Sequence, residues 1–137
     1  MRPAQGIFLG GDHYSELIRH ARNEYPNEAC GILAGKDGEI KRIYAMTNTD
    51  RNPTTYFMDP KEQFRVFKEM RESNLELVGL YHSHVASAAY PSARDKEMAF
   101  YPEAVYLIIS LENYDAPEVK AYRIQDGEVE EEKINIV

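Results

Sequence analysis

Residues 75–84 read Leu-Glu-Leu-Val-Gly-Leu-Tyr-His-Ser-His, apolar at almost every position until the histidines. A strand apolar on both faces lies centrally in a sheet, covered on both sides. Strict alternation places Leu75, Leu77, Gly79 and Tyr81 on one face and Val78, Leu80, His82 and His84 on the other. The histidines then share a face at the strand's carboxyl end, where loops begin. Residues 29–34 and 105–109 are further apolar runs of strand length, and Pro102 breaks the chain ahead of the second. Residues 6–9 give a short first strand. The pattern also predicts strands over 39–46, 55–58, 119–124 and 129–136, the last two forming a hairpin about Asp126-Gly127.

Helical spacing appears in three places. Asp12 is placed to cap a helix reaching about Glu24, with Tyr14, Leu17, Ile18 and Ala21 as its apolar stripe and Pro26 beyond its end. His13 and His20 fall off that stripe and are expected in solvent. Asp59-Pro60-Lys61-Glu62 joins a capping Asp, a Pro at the first helical position and an acid three residues after the cap. Phe64, Phe67 and Met70 supply that helix's buried face. A short helix starts at Ser92 and runs to about Phe100. The class is α+β: a mixed, mostly antiparallel sheet flanked by two long helices and one short helix, in a single domain over residues 1–137.

Composition narrows the function. At 43% hydrophobic and 28% charged residues, the chain suits a soluble globular protein. No apolar run approaches the roughly 20 residues of a membrane span, and residues 1–6 lack a signal peptide's apolar segment. A single cysteine, Cys30, permits no internal disulfide, which fits the cytoplasm. Net charge is −7 with no basic stripe, which argues against nucleic acid as a partner. Glu128, Glu130, Glu131 and Glu132 are read as a solvated strand face. A homodimer is left open.

His82, His84 and Asp95 together offer two nitrogens, one carboxylate oxygen and an open fourth position, a common plan for catalytic zinc. Helix capping by Ser92-Ala93-Arg94-Asp95 and an incidental histidine pair would explain the same residues without chemistry. Cys30 is read as a small buried apolar residue, since a fourth protein ligand would close the site to water. A hydrolase of this kind needs a carboxylate base. Spacing alone leaves Glu28, Glu76 and Glu97 open, with Glu28 distinguished by opening an apolar strand.

Glu28 with the run 29–35, then His82-Ser83-His84, seven residues, Ser92, two residues and Asp95, resembles the JAMM motif of MPN-domain metalloproteases. The order of strands and helices resembles that family across nearly the whole chain. The resemblance implies that His82, His84 and Asp95 bind zinc, that Glu28 is the general acid/base, and that Ser92 steadies the developing oxyanion or orients the water. It also implies hydrolysis after the C-terminal Gly-Gly of a ubiquitin-like or sulfur-carrier protein. A non-catalytic MPN scaffold and a JAMM hydrolase of another amide are the alternatives. Val85 stands where many relatives carry Pro, which frees the φ of that loop. The loops 47–53 and 85–90 are the expected walls of a groove for a thin tail.

Overall fold

Two Asp-Gly pairs fold the chain back on itself. In the computed structural model, which describes residues 6–137, Asp37 and Gly38 have φ of 52° and 81°, and Asp126 and Gly127 have 53° and 79°. Positive φ at both central residues is type I′ turn geometry, whose twist suits a tight hairpin. Residues 1–5, within the segment read above as lacking a signal sequence, lie outside the described residues.

The elements run β1 (Ile7–Leu9), α1 (Gly11–Glu24), β2 (Cys30–Lys36), β3 (Glu39–Met46), α2 (Pro60–Glu72), β4 (Glu76–His84), α3 (Ala93–Glu97), β5 (Val105–Ser110), β6 (Glu118–Gln125), β7 (Glu128–Glu132) and β8 (Ile134–Ile136). They form one sheet ordered β7-β6-β5-β4-β2-β3-β1-β8. The histidine strand β4 is central, antiparallel to β2 and parallel to β5. This is the mixed α+β fold expected from the pattern. Among the described residues, no helix is long and apolar enough to cross a membrane.

The C-terminal segment differs from expectation. Residues 129–136 do not make one strand: β7 pairs with β6, whereas β8 pairs in parallel with β1 at the other end of the sheet. Only Lys133 separates them, so the two ends of the sheet must lie side by side and the sheet curls nearly closed. The acidic face is also only partly solvated. Glu132 is buried, with Oε1 3.6 Å from Nε of Arg123. Residues 55–58 form no strand beyond an isolated bridge between Asn48 and Met58; side-chain hydrogen bonds, described below, hold that segment instead.

Each face of the sheet has its own core. Leu17 and Ala21 of α1 pack with Leu33, Tyr81 and Leu107 on one face. Val66 and Met70 of α2 pack with Cys30, Leu80 and Ile108 on the other. The simple alternation expected along β4 holds only from Gly79 onward. Its pairing passes from Leu33–Gly79 to Ala34–Leu77, leaving Val78 as an extra residue. A bulge of this kind reverses the faces before it. Leu75 and Leu77 therefore join the cluster of Leu80, and Val78 joins that of Tyr81.

The helix caps correct two further expectations. Asp59 caps α2 as read, its side chain accepting from the Lys61 amide at 2.9 Å, an interaction worth about 1 kcal/mol. Phe64, assigned to the buried face, is exposed, and Val66 takes its place. In α1 the cap is Gly10, with no side-chain bond, and Asp12 lies within the first turn. The α1 surface is not fully solvated either. Nδ1 of His20 lies 2.8 Å from the buried Tyr81 hydroxyl, and the rings meet edge-on at 5.8 Å. Gly31 opposite makes room for that tyrosine, since a Cβ there would come within 2.2 Å of its ring.

Candidate functional site

The site stands at the carboxyl end of β4, on the α2 face. His82 and His84 share that face because they are two residues apart on a strand beyond the bulge. Their Nε2 atoms lie 3.1 Å apart, and Asp95 Oδ2 is 3.1 Å from the first and 3.0 Å from the second. Both histidines are buried and Asp95 is half-buried.

Helix capping and convergence on the histidines are one structure, not alternatives. Ser92 caps α3 with its Oγ accepting from the Asp95 amide at 3.1 Å, and the Ser92 amide returns a bond to Asp95 Oδ2 at 2.9 Å. This capping box fixes the carboxylate, and the oxygen it fixes is the one facing both imidazoles. His84 is oriented by a separate contact, 2.8 Å from its Nδ1 to the Ala88 carbonyl. A carbonyl can only accept, so Nδ1 carries hydrogen, and in the neutral ring Nε2 presents a lone pair to the cluster. Against His82 the ring of Tyr56 stacks at 4.7 Å and 25°.

The donor set fits a small cation. A lone pair of neutral His84 faces a carboxylate oxygen at 3.0 Å, which is repulsive unless positive charge lies between them. Ligands about 2.0–2.1 Å from tetrahedral zinc would stand about 3.3 Å apart, close to the spacings here. The electrostatics favour positive charge at the centre. Burial alone pushes the Asp95 carboxyl up, but the two imidazoles against it and the bond from the Ser92 amide hold it well below the usual carboxylate range. His84 is pushed down by burial, yet its bonds to Asp95 and Ala88 carry it above its ordinary value. His82, deeper, is lowered by burial.

Glu28 lies just before β2 and is 4% exposed. Burial raises its pKa to about 8, the His84 and Arg94 charges opposing that rise and Asp95 adding to it. The other carboxylates left open by spacing are solvent-exposed: Glu76 at the far end of β4 and Glu97 on α3. Glu28 is held by its backbone. Its amide donates to the Asn52 carbonyl at 3.0 Å, and its carbonyl accepts from the Asn48 side chain at 3.0 Å. The next amide, Ala29, donates to Ser83 Oγ at 2.7 Å, between the two histidines. Cys30 pairs opposite His82 in the core, where burial pushes its thiol up to about 12; it remains a protonated, apolar filler.

A cavity of about 150 Å³ opens on Asp95. Tyr56, Phe57, Met58, Leu80, Arg94 and Met98 are among the residues that line it. Neither of the loops expected as walls, 47–53 and 85–90, lines it. The sequence reading missed Asn48, Tyr56 and Ser83. The buried Asn48 and the half-buried Tyr56 carried no signal beyond their place near a polar loop; Ser83 was visible only as the spacer between the histidines.

Comparison with known proteins agrees with this geometry. The chain is 40% identical over 133 residues to the CysO-cysteine peptidase of Mycobacterium tuberculosis, covering 96% of this chain and 91% of that protein. It is 33% identical over 99 residues to the desampylase of Pyrococcus furiosus, covering 72% and 70% respectively. A solution structure of a protein from Desulfitobacterium hafniense superposes with a TM-score of 0.87 at 41% identity, covering 96% of this chain and 92% of that one. Residues 11–125 match the family described as prokaryotic homologs of the JAB domain, and the chain belongs to that family.

Proposed function

We propose that this protein is a JAMM-type zinc hydrolase that cleaves the amide bond after the C-terminal Gly-Gly of a ubiquitin-like or sulfur-carrier protein. The convergence of His82, His84 and Asp95 on one point beside the buried Glu28 carries this reading. Relatives named as a CysO-cysteine peptidase and a desampylase support the substrate class. The reading includes one domain over residues 1–137, acting in the cytoplasm without nucleic acid; a homodimer is a matter for sedimentation.

In this proposal His82, His84 and Asp95 hold the metal. Zinc, when bound, would supply Lewis acidity and lower the pKa of the attacking water. Glu28 takes the proton from that water and delivers it to the leaving amine. Its position suits the task, because burial keeps its pKa within reach of neutrality instead of near 4.5. Ser92 contributes a donor. Its oxygen already accepts from the Asp95 amide, so its own hydrogen is free to point at the carbonyl oxygen as charge builds there. The cavity beside Asp95 receives the tail. A tail ending in glycines suits so confined an approach, having no side chains to clash with the walls.

The test is cleavage of a carrier protein extended beyond its Gly-Gly, with metal content measured on the same sample. Glu28→Gln keeps the shape and cannot take the proton, so turnover should fall about 10²–10⁴-fold while zinc stays bound. Normal turnover at matched zinc content would remove Glu28 from its role.

A further inference from the structure

We propose that Asn48 is a positioning residue for this reaction, one side chain that ties the backbone of Glu28 to the wall of the site. The inference rests on the hydrolase reading above. Asn48 lies in a polar loop yet is 4% exposed, and every hydrogen-bonding position of its amide is used. Nδ2 donates to the Glu28 carbonyl at 3.0 Å and to the Thr55 carbonyl at 3.1 Å. Oδ1 accepts from the Asp50 amide at 3.0 Å and the Phe57 amide at 3.0 Å. Two donors and two acceptor sites are all that a side-chain amide has.

Only the bond to Asp50 belongs to an ordinary Asn turn. The bonds to Thr55 and Phe57 grip the chain on either side of Tyr56, whose ring stacks on His82. The fourth holds Glu28, and the Asn52 carbonyl in the same loop takes the Glu28 amide. The loop therefore clasps Glu28 from both ends of its peptide unit. Through Asn48 the same loop fixes the aromatic ring behind the metal-side histidine. No strand pairing does this work, since the 55–58 segment has only the Asn48–Met58 bridge. Catalysis is sensitive to displacements of about an ångström; the Ala29–Ser83 bonds tie the start of β2 to the histidine strand, and Asn48 adds a second tie, from the Glu28 carbonyl to the segment that carries Tyr56.

The experiment is a double-mutant cycle between Asn48→Ala and Glu28→Gln, read as kcat on the carrier fusion with zinc saturating and its stoichiometry measured. In the wild-type background Asn48→Ala should lower kcat at least about tenfold with zinc content unchanged. In the Glu28→Gln background it should cost no more than about twofold, because the residue it positions no longer acts. An equal loss in both backgrounds would assign Asn48 a merely structural role and overturn the proposal, as would no loss in either. Asn48→Asp keeps the acceptors for Asp50 and Phe57 and removes both donors, so it serves if the alanine variant fails to fold. A separate readout uses amide hydrogen exchange in unmodified protein. The Glu28 and Phe57 amides should be protected and open together; immediate exchange of either would sink the proposal. If the wild-type protein cleaves no carrier while those amides are protected together, the hydrolase reading fails and the catalytic role of Asn48 falls with it, leaving only the clasp.

Discussion

A catalytic carboxylate kept out of water should destabilise the protein that carries it, by an amount that grows with pH. Glu28 has an ordinary pKa of 4.5 and a folded value of about 8, raised first by burial. A carboxyl whose folded pKa is raised binds its proton more tightly when folded. Its penalty is absent below pH 4.5, grows between 4.5 and about 8, and is constant above that. One unit of pKa is about 1.4 kcal/mol, so the full interval sets a ceiling of about 5 kcal/mol. Only the part of that interval between pH 5 and 7 is read, and residual contact with solvent screens it further, so the expectation there is about 2 kcal/mol. Glu28→Gln removes the ionisation and nearly keeps the shape. The Gln amide will find better or worse hydrogen bonds than the carboxyl, but that difference is the same at every pH. The slope therefore isolates the carboxylate. The assay is urea denaturation of metal-stripped wild type and variant at pH 5, 7 and 9. The stability of Glu28→Gln relative to wild type should rise by about 2 kcal/mol from pH 5 to 7. Parallel stability curves would show that Glu28 ionises as freely as in water, and the argument for a proton held near neutrality would fail.

Three other outcomes follow from named contacts. His82→Ala should lose the roughly one zinc per chain expected of wild type, measured by plasma mass spectrometry after dialysis; full retention would mean that the ligands are elsewhere. Replacing the terminal glycine of the carrier tail by valine should lower kcat/KM at least about tenfold, equivalent to about 1.4 kcal/mol at the transition state, with mass spectrometry locating the cut. Equal rates would remove the confined approach while leaving the metal chemistry in place. Tyr81→Phe leaves Nδ1 of His20 without its partner on the α1 face, and should cost about 1–2 kcal/mol in denaturant unfolding at neutral pH; no change would mean that water replaces the hydroxyl there.

What the sequence made legible was local. The Asp126-Gly127 turn, the Asp59 cap and the Ser92–Asp95 box each depend on two to four consecutive residues, and each formed as read. His82 and His84 faced the same way for the same reason. Asp95 could be joined to them because a capping box orients its acid, a property of its own short helix. The errors lie where distant chain decides. Phe64 has the spacing of a core residue, yet α2 turns Val66 inward instead. Alternation could not reveal a bulge at Val78, because an extra residue shows only in its pairing with β2. Nor could it show that β8 leaves β7 for the open edge of β1, which requires the sheet to curl until its ends meet.

The same division runs through the site. The three groups that converge on one point come from a strand end and the first turn of a short helix, so their spacing is printed in the chain. What places Glu28 beside them is not. Glu28 lies some fifty residues before His82 in sequence, and its approach depends on β2 pairing with β4, on Ser83 receiving the Ala29 amide, and on Asn48 bonding the Glu28 carbonyl. Each of these bonds replaces one to water for groups that are now buried, so leaving any of them unmade costs about 1–3 kcal/mol. That penalty is what fixes the carboxylate's position. A side chain at a loop tip would wander, whereas a backbone with its amide and carbonyl both spoken for cannot move without losing them together. The proposed chemistry therefore rests on five residues legible in the sequence, while its precision would depend on polar side chains that folding alone brings together.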